Sequence, residues 1–502
     1  MPITLRTMLI SPWAVLLASC TIGPRFHPPV PPTPAAWSAS ASPLVPAQAS
    51  QVTVRAADDA WWASFGDAEL TSLIDRAGAA NLDARQAVAR IAEARAQRDI
   101  AAAAARPSLG LNAGAQVDRL SQSTPTGALF SKVGQFPGLS GVSIPNPYDQ
   151  YQLGFDASWE VDLFGRVRRS VEAATADAAA SVEDSHAVLI TALGDVARGY
   201  IDLRGSQARR QIVVETLATE RDLLDLARQR RQAGLSSDID VVRAAAEVSS
   251  AQAQLPAIDH QITVDINALS ALLALEPGAL RPELDAARPL PLVPPRVPIG
   301  LPADLARRRP DIRAAEARLH AATARIGVAM GDLYPRLTLS AGGGYQAQTI
   351  ATLTDWASRF LSAGPTLELP IFEGGRLRAT VRLQDAQAKA AALAYQGAVL
   401  SALHEVDDAL SAYGEDQARA RALADTVGRD RDAVELARQR YAGGVGDFID
   451  VLDAQRSRLQ NAVLLADEET AISTDLIVLY KALGGGWNAG APADATPAAG
   501  RP

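Results

Sequence analysis

His404-Glu405 opens like the zinc-peptidase pattern His-Glu-x-x-His, in which two imidazoles one helical turn apart grip the metal and the glutamate activates its water. The residue four after His404 is Asp408, so the second imidazole is missing. The other histidines, at 27, 186, 260 and 320, are scattered. No Walker loop occurs, so the chain supplies no ATP energy, and the triple glycine at 342–344 fits no phosphate-binding pattern. Cys20 is the only cysteine, which excludes an internal disulfide and any multi-cysteine metal site. These residues predict no enzyme, no metal centre and no cofactor.

The carboxylates with a pattern lie elsewhere. Residues 225–245 read DLARQRRQAGLSSDIDVVRAA and residues 435–455 read ELARQRYAGGVGDFIDVLDAQ, identical at ten of 21 positions. Gly234 and Gly444 recur at the end of an LARQR helix, where a left-handed cap needs no Cβ. Asp240 and Asp450 follow within Ile-Asp-Val triplets, and Asp453 lies three residues after Asp450, on the same helix face. Asp238, Asp447 and Ser236–Ser237 read as N-caps. For Asp240, Asp450 and Asp453 a first-turn helix-dipole role is the reading that helix chemistry alone offers.

The elements that position these turns come in two sets. Residues 148–255 and 371–491 contain no proline, and EPGALRPELDAARPLPLVPPRVPIGLP (276–302) is a proline-dense linker between two halves. Asp83, Arg85, Ala87, Pro107, Leu109, Leu111 and Gly114 recur 228 residues later as Asp311, Arg313, Ala315, Pro335, Leu337, Leu339 and Gly342. WEVDLFGR (159–166) answers LELPIFEGGR (367–376), and the LARQR turns repeat at an offset of 210. Each half therefore predicts the order helix, strand, strand, very long helix, tight turn, long helix. Helices are expected over 82–105, 166–233 and 238–274, the last kinked but unbroken at Pro256. A helix over 166–233 is roughly 100 Å long, wider than any compact domain. Its small-residue stripe suits a bundle or cylinder of helices.

Residues 151–161, YQLGFDASWEV, alternate apolar and polar, with an aromatic residue at each end of a membrane-thickness run. Weaker alternation marks 109–117, 337–347 and 362–371. Four strands cannot close a barrel, and open edges cannot face lipid. Spanning strands would require several chains to share one barrel; a half-buried soluble sheet is the other reading.

The N-terminus has Arg6, an apolar stretch from Met8 to Ala18, and Leu17-Ala18-Ser19-Cys20. This reads as a signal peptide over 1–19 whose end resembles a lipobox, making Cys20 a lipidation site and Thr21 an outer-membrane sorting residue. No other segment is apolar enough for a membrane helix. Net charge is −8, with no basic stripe interleaved with aromatics, so nucleic acid is not an expected partner.

WWASFGDAELTSLI (61–74), WEVDLFGR, RRPDIRAAEARLHAATARIGVAMGDLYPRLTLSAGGGY (308–345) and FEGGRLRA (372–379) resemble the TolC/OprM-like outer membrane factors of tripartite efflux pumps, in particular their lipoprotein branch. The resemblance runs from Cys20 to about Gly486. It implies a mainly α fold with a membrane β-barrel: a homotrimer whose four strands per chain form one 12-stranded barrel, continued by a long periplasmic α-helical barrel. It also implies an outer-membrane exit duct, passive, for small molecules and drugs, meeting a periplasmic adaptor and an inner-membrane transporter. Asp240, Asp450 and Asp453 then match the family's pore-constriction acids, Tyr441 a gate tyrosine, and Gly234 and Gly444 the tip turns against the adaptor. The family's gate arginine falls at Gly446, a departure that puts an arginine lock in doubt.

The expected organisation is a signal peptide (1–19), lipidated tether and equatorial segment (20–60), first repeat (61–275), linker (276–302), second repeat (303–486) and disordered tail (487–502). Two alternatives stay open, a duct for type I protein secretion and a non-conducting envelope tether.

Overall fold

The computed structural model describes residues 21–30, 33–38, 50–53, 55, 59–133, 136, 138 and 145–487. The signal peptide, Cys20 and residues 488–502 lie outside them. In chain order the elements are β1 (Gln51–Thr53), α1 (Ala68–Ala80), α2 (Leu82–Ala103), β2 (Ser108–Asp118), α3 (Pro125–Ser131), β3 (Tyr148–Val161), α4 (Arg166–Gln232), α5 (Asp238–Leu272), α6 (Arg281–Leu284), β4 (Arg296–Pro298), α7 (Leu305–Arg308), α8 (Pro310–Gly331), β5 (Arg336–Ala347), β6 (Arg359–Glu368), α9 (Arg376–Ala442) and α10 (Phe448–Ala482). The order α2-β2-β3-α4-α5 recurs as α8-β5-β6-α9-α10. Both α4 and α9 have 67 residues, and both α5 and α10 have 35. Pro256 stays inside α5, which is continuous through it.

The chain divides into two compact units, the first being Met1–His27, Ala94–Ala178 and Arg318–Ala391. Its centre is a four-stranded antiparallel sheet in the order β2-β3-β5-β6. The register puts Leu109, Leu111 and Val117 on the same face as Leu153, Phe155, Trp159, Leu337, Leu339, Leu361 and Leu367. The opposite face carries Asn112, Gln116, Gln152, Asp156, Thr338, Ser340, Ser362 and Thr366. Most of the large apolar side chains on the first face are solvent-exposed within the chain. A contiguous apolar surface of this kind marks a membrane or a partner. The outer edges of β2 and β6 pair with no strand among the described residues.

β6 begins and ends three residues before the expected 362–371. Arg359, Phe360 and Leu361 find ladder partners in Tyr345, Gly344 and Gly343, while Pro370 cannot donate to a ladder. On the polar face a Cβ at Gly344 would lie 2.2 Å from the Leu153 carbonyl oxygen, and one at Gly154 would meet the Phe360 ring at 3.1 Å. Glycine at both positions lets β3 and β5 close under that ring.

The sheet passes into helix through a braced corner. Arg166 donates to Glu160 at 3.0 and 2.6 Å, and Phe164 packs on Tyr334 with ring centres 5.0 Å apart. The segment after Cys20 docks here. Ile22 donates its N–H to Phe164 O at 3.1 Å, buried Arg169 reaches Ile22 O and Gly23 O at 3.3 Å each, and Phe26 stacks on His320 at 4.4 Å.

The second unit is Pro28–Glu93, Ala179–Ala317 and Ala392–Pro502. Its core joins α1, the middle of α4 and the ends of α5 and α10 through Leu70, Leu73, Ile74, Val196, Tyr200, Ile266, Leu269 and Leu476, with Trp61 stacked on Tyr480 at 5.3 Å. Fully buried Arg204 is compensated by Glu69 at 2.6 Å, Gln207 Oε1 at 2.6 Å and Ala286 O at 3.0 Å. Buried charge is tolerable only with such pairing. β1 and β4 form a two-stranded parallel ladder. Trp487, the first residue of the expected tail, is buried against His186 (4.3 Å) and donates to Arg308 O at 3.1 Å; the rest of that tail lies outside the described residues.

Candidate gate at the helical hairpin tips

The two repeated turns fold alike. Gly234 has φ +74° and Gly444 φ +77°. Leu235 donates its N–H to Arg230 O at 2.8 Å, and Val445 donates to Arg440 O at 3.0 Å. These bonds reach back five residues to the last helical turn, the signature of a Schellman cap, which needs the left-handed glycine.

The contact across each turn differs in chemistry. In the first tip Arg231 forms an ion pair with Asp238 at 2.6 Å. The positions 210 residues on are Tyr441 and Phe448, whose rings pack at 5.0 Å. Ser237 is the N-cap of α5 and Asp447 that of α10. Asp238 is the first helical residue, not a cap, because Arg231 holds its carboxylate across the turn.

Asp240 Oδ2 accepts the Ser237 N–H at 3.3 Å, the reciprocal arm of a capping box. Asp450 is exposed. Asp453 is also exposed and lies 3.8 Å from Arg456, whose Nε donates to Glu247 at 3.0 Å. Asp240 thus stands on α5 and Asp450 and Asp453 on α10, each in the first two turns after a tip.

Tyr441 is buried with Leu223, Leu224, Ala227, Val451 and Leu452, and its hydroxyl has no hydrogen-bond partner among the described residues. The Arg230 guanidinium lies 4.7 Å above its ring and donates to Ala442 O at 2.9 Å. Arg230 of α4 therefore ties the first hairpin to the second. It stands inside the repeated LARQR, the one signal that could have picked it out. At Gly446 a Cβ would lie 2.9 Å from Arg440 Cβ, so a side chain there requires the turn to move.

Glu220 was also not picked out by sequence. Leu217, Glu220 and Leu224 share the buried stripe of α4, and the Glu220 Oε2 has no hydrogen-bond partner among the described residues. Burial, with Glu247 nearby and Arg456 opposing, pushes its carboxyl from 4.5 up to about 7. Between those values the folded chain holds a proton that the unfolded chain has released. This contribution to stability is full below about pH 4.5 and is lost as pH rises through about 7, with a ceiling of about 3 kcal/mol. Thermal melts followed by helical circular dichroism are expected to fall between pH 5 and 8 in the native protein. Glu220→Gln is expected to flatten that fall; equal slopes would mean Glu220 is ionised throughout.

Among the described residues no cluster of three metal-ligand side chains occurs. Glu405 pairs with Arg309 at 2.7 Å, which spends the only glutamate beside His404. No helix among the described residues is long and apolar enough to cross a membrane.

The outer membrane efflux protein family matches residues 73–275 and 301–485. Outer membrane protein OprJ of Pseudomonas aeruginosa is 34% identical over 486 residues, covering 95% of both chains. The solvent efflux pump outer membrane protein SrpC of Pseudomonas putida is 32% identical, covering 94% of this chain and 97% of its own. The solved outer-membrane channel OprN superposes with a TM-score of 0.83 at 34% identity, over 93% of this chain and all of that one. Chains of this family are outer-membrane efflux channels and not enzymes. The turns, the sheet and these likenesses agree, and the chain belongs to the outer membrane efflux protein family.

Proposed function

We propose that this chain is one of three identical subunits of an outer-membrane exit duct for small molecules, built from two internal repeats. The observation that carries this reading is the four-stranded sheet with one exposed apolar face and two open edges. Only a closed barrel satisfies such edges in lipid, so copies must complete one another. β3 and β6 each lead into a 67-residue helix ending in a capped tip.

At the tips Asp240, Asp450 and Asp453 of three copies form carboxylate rings that favour cations and oppose anions. Mutual repulsion would spread such rings, so a resting closed state needs a counterweight. Tyr441 under Arg230 and against Phe448 supplies one. A periplasmic adaptor docking at Gly234 and Gly444 shifts the population toward an open iris, and an inner-membrane transporter provides the energy. Cys20 carries the lipid, next to a segment whose Ile22 and Gly23 dock on Phe164 and Arg169. Relatives named for solvent, toluene and pyoverdine export favour small-molecule cargo over secreted protein.

The test is single-channel conductance of the purified protein in a planar bilayer. Small cation-selective steps are expected. Verified trimers that insert and carry no current, even with Tyr441→Ala removing the counterweight that holds the tips closed, would sink the duct and leave a tether.

A further inference from the structure

The apolar face of the sheet is not level. The ladders set Ala157, Ala341 and Ala363 abreast on β3, β5 and β6. One row nearer the long helices stand Trp159, Leu339 and Pro365; one row farther away stand Phe155 and Leu361, with Gly343 between them. A row of methyl groups between two rows holding larger side chains makes a trough, closed at the β2 end by Leu109 opposite Ala157. A cavity of about 470 Å³ lies there, with Trp159, Leu339, Pro365 and the three alanines in its lining. Ser158 and Ser340 also border it, at positions whose side chains belong to the opposite face. The volume falls within the roughly 300–1,000 Å³ of small-ligand sites. Atoms that face a gap forfeit their contacts, so such a trough favours an occupant that fills it.

The segment after Cys20 docks close by. Ile22 donates its N–H to Phe164 O, and Thr21 lies so near Gly165 that a Cβ there would meet Thr21 Cγ2 at 2.7 Å. Trp159 is six residues from Gly165, at most roughly 21 Å of extended chain. The turn in which the Leu163 N–H bonds to Val161 O at 2.8 Å shortens that path. An acyl chain reaches across one leaflet, roughly 15 Å or half of the hydrocarbon core. Cys20 immediately precedes Thr21, so a lipid on its sulfur starts within reach of the trough. Its tether also gives it a local concentration that no competing occupant free in solution has.

We propose that an acyl chain of the lipid on Cys20 lies in this trough, across β3, β5 and β6, making the anchor a packed part of the sheet. The chain's methylenes rest on the three alanine methyls, bounded by Trp159 and Leu339 on the helix side and by Phe155 and Leu361 on the other. The alanines set the fit, because a larger side chain at any of the three fills the trough.

This rests on the lipidated, membrane-spanning reading, and photo-cross-linking separates the two. Cells making the full-length protein are fed a diazirine-bearing fatty acid, irradiated, and the protein is digested. A carbene on the Cys20 lipid joins the Cys20 peptide to what it touches; one on a neighbouring phospholipid leaves only that phospholipid on the peptide. Mass spectrometry therefore distinguishes the two sources. Cys20-linked products at 157–159, 339–341 and 363–365 are expected at least tenfold above those at Leu111 and Val117, which share the face outside the trough. Ala341→Phe should cut them at least tenfold while the protein stays in the outer membrane. Ala363→Leu tests the same filling if the phenylalanine variant inserts poorly. Cys20-linked products spread evenly over the apolar face, products unchanged by filling, or phospholipid alone in the trough each overturn the seat and leave the anchor in place. An intact mass without lipid on Cys20 sinks the lipoprotein reading and the seat with it, and a lipidated chain absent from outer membranes sinks the spanning reading and the seat.

Discussion

Replacing Asp240, Asp450 and Asp453 together by asparagine is expected to remove the cation preference of the channel while leaving the tips folded. Asparagine is the informative choice because Asp240 also caps α5 through the Ser237 N–H. Alanine there would remove a capping acceptor, costing about 1 kcal/mol, and confuse a structural loss with an electrostatic one. A unit charge 4 Å from a permeating ion contributes about 1 kcal/mol even in a water-like medium. Three such carboxylates in every chain sum to several kcal/mol, and each 1.4 kcal/mol is tenfold in an equilibrium. The cation-to-anion permeability ratio should therefore fall at least about tenfold in dilute salt, and less at high ionic strength, where exposed charges are screened. Asp238→Asn is the control, because that carboxylate is neutralised by Arg231. A triple variant as selective as wild type would place the constriction elsewhere, and a control that loses selectivity would make the effect one of total charge.

Gly344→Val is expected to have the largest structural effect of any single change in the sheet. The added Cβ falls 2.2 Å from the Leu153 carbonyl oxygen and 2.4 Å from the Gly154 Cα, both backbone atoms in the paired strand. No rotamer relieves such a clash, so β3 and β5 must separate, at a cost above about 4 kcal/mol, the extreme end of single substitutions. The repeats meet within the chain at that ladder, so outer-membrane protein should fall more than tenfold in membrane fractions. Gly364→Ala, with nothing within 4 Å of its Cβ, should leave the yield unchanged. Equal yields for the two variants would mean that β3 and β5 are not held at this spacing in the membrane.

Sequence by itself determined the elements and their order. Proline-free blocks, glycine-ended LARQR helices and alternating strands are local signals, set by backbone sterics and periodicity, and they marked α2, α4, α5, the tips and three strands to within about three residues. β6 was misplaced by three residues because its weak alternation could not show that Arg359–Leu361 would be matched by Tyr345–Gly343. Gly234 and Gly444, and the equivalence of Asp240 and Asp450, could be read because the same turn is written twice, whereas Asp453 answers Arg243 and has no repeated counterpart. Tertiary structure alone decided what each group touches. Arg230, one of many arginines in sequence, became the link over Tyr441 only once α4 and α9 were side by side. Asp238 proved to be an ion-pair partner, and Glu220 a buried acid, because helix packing fixes which face meets which neighbour, and desolvation depends on that neighbour. Gly344 looked like one of three consecutive glycines until the ladder brought a carbonyl within reach of its missing Cβ. Periodicity is carried by a few adjacent residues and survives in one dimension, whereas contact between residues far apart in the chain exists only after folding.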